Sequence, residues 1–234
     1  MYSDSYAIVT GSRRGVGKAI AEHFLNMDAK VIGLSQGVGS IEHPNYIHMQ
    51  LDISKPGSVT TCFDAIKKIT PSIDIVINNA AVLTSQYAMI MPISAAELML
   101  TTNLLGPFMV MREASKMMRK AKWGRIINIS SMAVSLEPIG DSMYAATKAG
   151  LTTLSNVMAK ELAPMNITCN TLAISAIETD MLDQLPREKV EKIIFELPIK
   201  RFANIGDILN VIDFFASKNS SCITAQTIYL NGIN

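Results

Sequence analysis

Cysteine is scarce in this chain. Cys62, Cys169 and Cys222 are odd in number and widely spaced, which excludes a disulfide framework or a zinc site and predicts buried thiols in a reducing, cytoplasmic compartment. Histidine is equally scarce: His23, His43 and His48 show no ligand spacing, so no catalytic metal is supported. An excess of one charge is missing too. Twenty-one Lys plus Arg against twenty Asp plus Glu leave a net charge of +1, which argues against nucleic acid or an anionic membrane as partner. No apolar run approaches the ~18 residues of a membrane span. The start, MYSDSYAIVTG, has no basic n-region and passes almost directly into a strand-like run, so it does not read as a signal peptide. Linker-like and low-complexity segments and internal repeats are also absent.

What remains is a globular composition, 49% apolar and 18% charged over 234 residues, enough to bury a substantial core. Short apolar runs at residues 7–10, 30–34, 46–51, 74–78, 125–130, 167–172 and 227–230 read as strands. Helical spacing separates them: Val16, Ala19, Ile20, His23, Phe24 and Met27, then Val59, Cys62, Phe63, Ile66 and Ile69. A long helical stretch over 94–121 should bend or break at Gly106-Pro107. Further helices are expected over 143–162, 186–197 and 205–217. Strands as uniformly apolar as Ile75-Val76-Ile77 fit a parallel sheet covered on both faces. The fold expected is α/β: one doubly wound parallel sheet with helices on both faces, a single domain over 1–234. Only residues 35–45, including Gly37, Gly39 and Pro44, join the second and third strands. A parallel crossover normally needs a dozen or more, so its helix should be lost or cut to one turn.

Gly11, Ser12, Arg13, Arg14, Gly15, Val16 and Gly17 sit between the first strand and the first helix. Glycines there let the backbone approach a pyrophosphate, and the helix N-terminus favours its charge. A P-loop is excluded, because Ala19 follows Gly17-Lys18. The second strand ends in Leu34-Ser35-Gln36 with no carboxylate to bind a ribose 2′-hydroxyl, while Arg14, with Arg13 beside it, is available to a 2′-phosphate. NADP(H) is therefore favoured over NAD(H).

Tyr144 and Lys148 lie one helical turn apart on one face. An ammonium beside a phenol favours phenolate and would make Tyr144 a usable acid or base for an alcohol–carbonyl interconversion. These residues complete a pattern that resembles the short-chain dehydrogenase/reductase family, most closely its single-domain 3-oxoacyl-[acyl-carrier-protein] reductase type, over nearly the whole chain. Thr10–Gly17 matches the TGxxxGxG turn. Asn78-Asn79-Ala80 matches the NNAG-type motif with Ala81 for Gly. Asn103 stands at the position of the catalytic asparagine, and Ser131 precedes Tyr144 by the usual 13 residues.

The resemblance implies a Rossmann-type fold and a set of roles. Tyr144 protonates the carbonyl oxygen as hydride arrives, Ser131 hydrogen-bonds that oxygen, Lys148 lowers the Tyr144 pKa and holds the nicotinamide ribose, and Asn103 supports a water that relays protons to Lys148. It also implies that Asp52 and Ile53 lie by the adenine, that Asn79 and Ala80 line the cofactor site, that Ile177 packs on the nicotinamide, and that Thr179 touches its carboxamide or phosphate. It implies a homo-oligomer, dimer or tetramer, formed through the long helix. The chain departs from the pattern at Ile174-Ser175, where Pro-Gly is usual, which should reshape that turn. It departs again at Ala225, where Gly is usual, and at Ile233.

Lys116, Arg119, Lys120, Lys122 and Arg125 around Trp123 read as a helix end rather than a carrier-docking patch. Met89, Met91, Met99, Met109, Met111, Met117 and Met118 read as core and subunit contacts. The apolar lid over 181–202 suits a hydrophobic carbonyl. The expected activity is NADP(H)-dependent carbonyl–alcohol interconversion on a small molecule, with a 3-oxoacyl thioester, carrier-bound or free, as first substrate. The alternatives are a sugar- or polyol-type secondary alcohol, and a non-catalytic dinucleotide-binding sensor or scaffold. A methyltransferase would leave Ser131, Tyr144 and Lys148 unused.

Overall fold

The computed structural model describes residues 2–177, 191 and 194–232. Its sheet is built outward from β1 (Tyr6–Thr10), which pairs with β2 (Lys30–Ser35) on one side and β4 (Ile75–Asn78) on the other. With β3 (Tyr46–Gln50), β5 (Gly124–Ser131), β6 (Ile167–Ile174) and β7 (Thr227–Tyr229), the order is β3-β2-β1-β4-β5-β6-β7, and every pairing is parallel.

The apolar strands are buried on both faces, as their composition requires. On one side Val9, Ile75, Ile77 and Ile127 pack with α1 (Gly15–Asn26) and α7 (Ile205–Ala216). On the other, Ile8, Ile32, Val76 and Ile126 pack with α2 (Pro56–Ile69), α4 (Gly106–Ala121) and α6 (Ser142–Leu162). An Asn204–Asp207 capping box starts α7. The short α5 (Ala133–Leu136) follows β5, and residues 36–45 carry no helix.

At Gly106-Pro107, where a bend or a break is expected, the long helix does not break. It runs on as α3 (Ile93–Leu100), a π-helical turn over Thr101–Leu105, and α4. The Gly106 N–H reaches back to the Thr101 carbonyl, five residues away. This widened turn places Pro107 in the first turn of α4, where its missing N–H is tolerated. The whole run, Ile93–Ala121, is long and apolar enough by length and composition to cross a membrane, which no stretch of the bare sequence suggested. A third of its most apolar window is buried in the protein, and Met99, Met111, Met117 and Met118 belong to the interior. Ile93, Leu98, Leu105 and Phe108 stay exposed on it, and Met89 before it is almost wholly so.

Two expectations change here. Cys222 is exposed, whereas Cys62 and Cys169 are buried. Arg125 does not belong to the helix end with Lys116, Arg119 and Lys120, since it lies in β5. It is fully buried, 4.7 Å from the Trp123 ring centre, and donates to the carbonyls of Gly124, Ser217 and Lys218. The last two carbonyls lie just past the end of α7, where a cation suits the helix dipole.

Candidate active site

The strand order reverses between β1 and β4, and the carboxyl ends of these strands open into a cleft of about 740 Å³. This is where doubly wound sheets hold ligands. The turn after β1 is built for close approach. Gly11 has φ +69°, and a Cβ on Gly17 would sit 2.3 Å from the Gly11 carbonyl oxygen, so the start of α1 packs against the turn only because Gly17 has no side chain. Asn79 Nδ2 donates to the Thr10 carbonyl at 3.0 Å, and Thr10 Oγ1 accepts the N–H groups of Asn79 and Ala80, each at 3.0 Å. The turn and the end of β4 are thereby locked together.

Arg13, Arg14, Gly15, Val16 and Gly17 border the cleft, as do Ser35, Ile53, Asn79 and Ala80. Arg14 is the N-cap of α1 and its side chain makes no capping bond. Ser35 Oγ donates to the Gly37 carbonyl at 3.3 Å. Two further expected ligands lie outside this border. Ser12 is fully buried, outside the cleft lining, with its Oγ 3.1 Å from Tyr46 Oη. Gly33 leaves room for that pair, since a Cβ there would lie 2.0 Å from Tyr46 Oη. Asp52 is also outside the lining. Its carboxylate takes hydrogen bonds from Ser54 Oγ at 2.6 Å and Gln36 Nε2 at 3.0 Å, and the Ser54 bond leads in holding its pKa below the ordinary value. Thr179 and residues 181–190, 192 and 193 of the expected lid lie outside the described residues.

At the other end of the cleft stand Ser131, Tyr144 and Lys148, all nearly buried. Ser131 closes β5, and its Oγ accepts the Ala133 N–H at 3.1 Å. The chain does not turn away early at Ile174-Ser175. β6 runs to Ile174, which pairs with Ser131, and the Ile174 carbonyl accepts the Met132 N–H at 2.8 Å. Neither Ile174 nor Ser175 has positive φ, so the backbone here asks for no glycine. Ile177, 8% exposed, borders the same end.

The electrostatics correct one expectation. Burial pushes the Tyr144 phenol up to about 12, a hydrogen bond with Ser131 works against this, and Asp141 adds to it. Lys148 is not among the causes. Its Nζ donates to the Ile129 carbonyl at 2.8 Å and lies 5.8 Å from the Tyr144 ring centre. Burial also pushes the Lys148 ammonium down to about 8. Burial thus leads, and it keeps the phenol protonated, in the form that can give a proton away.

Asn103 is wholly buried and stands behind the cleft rather than in its lining. It lies in the π turn, and Pro107, four residues on, lacks the N–H its carbonyl would accept in an α-helix. Sequence reasoning missed Thr102 and Asp141. Both border the cleft; Thr102 Oγ1 is buried there without a protein partner, and Asp141 accepts a hydrogen bond from Ser85 Oγ. The one signal for Asp141 was its place at the start of α6, three residues before Tyr144.

The glycine cradle, the helix N-terminus and the orphaned Thr102 hydroxyl, with Lys148, Ser131 and Tyr144 at the far end, fit a nicotinamide dinucleotide laid along the cleft. Among the described residues no cluster could hold a metal ion.

Comparison with known proteins gives a consistent answer. The family model described as Enoyl-(Acyl carrier protein) reductase matches residues 11–232. The 3-oxoacyl-[acyl-carrier-protein] reductase FabG of Aquifex aeolicus is 33% identical, over 97% of this chain and 95% of that protein. FabG of Escherichia coli is 32% identical, over 99% and 97%. The ligand-free structure of Thermoplasma acidophilum aldohexose dehydrogenase superposes with a TM-score of 0.89 at 28% identity, over 98% of this chain and 93% of that one.

Proposed function

The chain belongs to the short-chain dehydrogenase/reductase family, and from that premise we propose that it is an NADP(H)-dependent reductase of 3-oxoacyl thioesters. The observation that carries the reductase reading is the convergence of the Ser131 and Tyr144 hydroxyls beside Lys148 at one end of a dinucleotide-sized cleft. A bound nicotinamide dinucleotide supplies hydride exchange. Tyr144, held protonated by burial, gives its proton to the substrate oxygen. Ser131 accepts from the Ala133 N–H, which orients its own O–H outward as a second donor to that oxygen. The Lys148 ammonium steadies the phenolate left behind and holds the nicotinamide ribose. Asn103, whose carbonyl finds no N–H on Pro107, supports a water that returns the proton.

NADP(H) is favoured over NAD(H) by Arg13 and Arg14 at the cleft and by Ser35 at the tip of β2, where a carboxylate would bind an unmodified ribose. The thioester is supported by the FabG relatives and by the apolar wall of Val82, Leu83, Met132, Ala133 and Pro138. One observation favours a second substrate class, a sugar or polyol. Asp141 puts a carboxylate, an acceptor for substrate hydroxyls, on the cleft wall, and the aldohexose dehydrogenase shares the fold at 28% identity. The exposed apolar side of α3 and α4, with Ile93, Leu98, Leu105 and Phe108, suits a homo-oligomer, dimer or tetramer. The free thiols suit a cytoplasmic protein.

The test follows NADPH and NADH absorbance against 3-oxoacyl thioesters, diketones and keto-sugars. Oxidation of NADPH by the thioesters supports the proposal. Turnover confined to sugars or polyols transfers it to the second class. Tight coenzyme binding with no turnover on any member moves the protein to a dinucleotide-binding sensor.

A further inference from the structure

The crossover from β2 to β3 has no helix, and side chains of the edge strand take its place. Tyr46, His48 and Gln50 alternate along β3 and so project to one face. Each ends on the phosphate turn or the crossover. Tyr46 Oη lies 3.1 Å from Ser12 Oγ, His48 Nε2 lies 2.8 Å from the Gly37 carbonyl oxygen, and Gln50 Nε2 donates to the Gln36 carbonyl at 2.7 Å. A carbonyl only accepts, so His48 carries its proton on Nε2. In the neutral ring Nδ1 is then the acceptor, 3.4 Å from Tyr46 Oη.

The same crossover touches Arg13 twice. Ser40 Oγ donates to the Arg13 carbonyl at 2.5 Å. The Arg13 side chain lies flat across Gly37: a Cβ on that glycine would be 3.0, 3.1 and 3.2 Å from Arg13 Cδ, Nε and Cζ. Gly39 in turn backs onto the His48 ring, where a Cβ would be 2.8 Å from Cγ. Arg13, Ser35, Gln36 and Gly37 border the cleft together.

We infer that His48, which lies outside the cleft lining, is a positioning residue for cofactor choice. By holding the Gly37 carbonyl it fixes the crossover as the floor under Arg13, and so fixes the guanidinium beside Ser35, where a ribose 2′-phosphate is received. This rests on the NADP(H) reading above. A long, flexible side chain loses less freedom on binding phosphate when it is already laid in place. Loss of His48 therefore weakens recognition of the 2′-phosphate and leaves the rest of the nucleotide's contacts alone.

The test needs no substrate. Calorimetric affinities for adenosine 2′,5′-bisphosphate and for 5′-AMP are measured on the wild type, His48→Ala and His48→Gln, with thermal melting as the folding control. The wild type is expected to prefer the bisphosphate. His48→Ala should lose about tenfold of that preference with 5′-AMP affinity unchanged, and His48→Gln, whose amide can still donate to Gly37, should restore most of it. A folded His48→Ala that keeps the wild-type preference overturns the inference and leaves the NADP(H) reading standing. A wild type with no preference overturns both. If His48→Ala does not fold, Gly37→Ala displaces Arg13 directly, and an undiminished preference in that variant overturns the inference.

Discussion

The Asn103 carboxamide holds the backbone of Val82 at both ends: its Oδ1 accepts the Val82 N–H at 2.8 Å, and its Nδ2 donates to the Val82 carbonyl at 2.9 Å. Its other Nδ2 hydrogen goes to Thr147 Oγ1 at 3.2 Å. One buried side chain thus ties the π turn, the cleft wall after β4 and α6 together.

Asn103→Leu keeps the volume and strands the Val82 N–H and carbonyl in a partly buried place. Each such group costs ~1–3 kcal/mol, so a stability loss of about 2–6 kcal/mol is expected in denaturant unfolding. Turnover should fall with it, because Val82 lines the cleft.

Tyr144→Phe removes the proton donor and keeps the ring. Turnover should drop by about 10³-fold or more, as for loss of a positioned general acid, while NADPH titration by fluorescence gives an affinity close to wild type. Turnover within tenfold of wild type would remove Tyr144 from the chemistry.

The pH dependence follows from two buried groups moved in opposite senses. With its pKa at about 12, Tyr144 stays protonated through the working range. Lys148, lowered from 10.5 to about 8, is an ammonium below that value and neutral above it. Reduction leaves a phenolate that the ammonium stabilises. So kcat/KM for reduction, which reports groups of the free protein, should be level at low pH and decline above about pH 8. Lys148→Met should lower the plateau and abolish the decline.

Ala225 occupies the left-handed region, φ 56°, where a side chain meets its own backbone at a cost of roughly 1–2 kcal/mol. Ala225→Gly relieves this and loses part of the gain to chain entropy. The expected net is about 1 kcal/mol of added stability, read as a rise of ~2–4 °C in melting temperature.

The residues that carried the sequence reading are those whose role is set by covalent structure or short-range periodicity. Ile75-Val76-Ile77 declared a strand buried on both faces. Gly11 and Gly17 declared a close approach that no side chain permits. Tyr144 and Lys148 shared a helix face by spacing alone. What stayed hidden depends on partners distant in the chain. Ser12 is turned inward by Tyr46, 34 residues away, and only because Gly33 leaves the space. Arg125 looked like one more basic residue near Trp123, and burial against carbonyls 92 and 93 residues on makes it an internal strut. The opposed shifts of Tyr144 and Lys148 reflect desolvation by the whole fold, which no local spacing encodes. The π turn is hidden for a related reason: Gly106-Pro107 removes one hydrogen bond, and whether a helix breaks or widens there depends on what packs around it.

The continuation of β6 to Ile174 makes Ser131 the last rung of the eight-rung ladder between β5 and β6. A serine at a loop tip would be free to fray with the loop. As a rung between two buried strands it is tied to the sheet, so the amide protons beside the reacting oxygen should exchange with solvent more slowly than those of a surface loop. The geometry of the chemistry is then anchored in the sheet rather than in a loop.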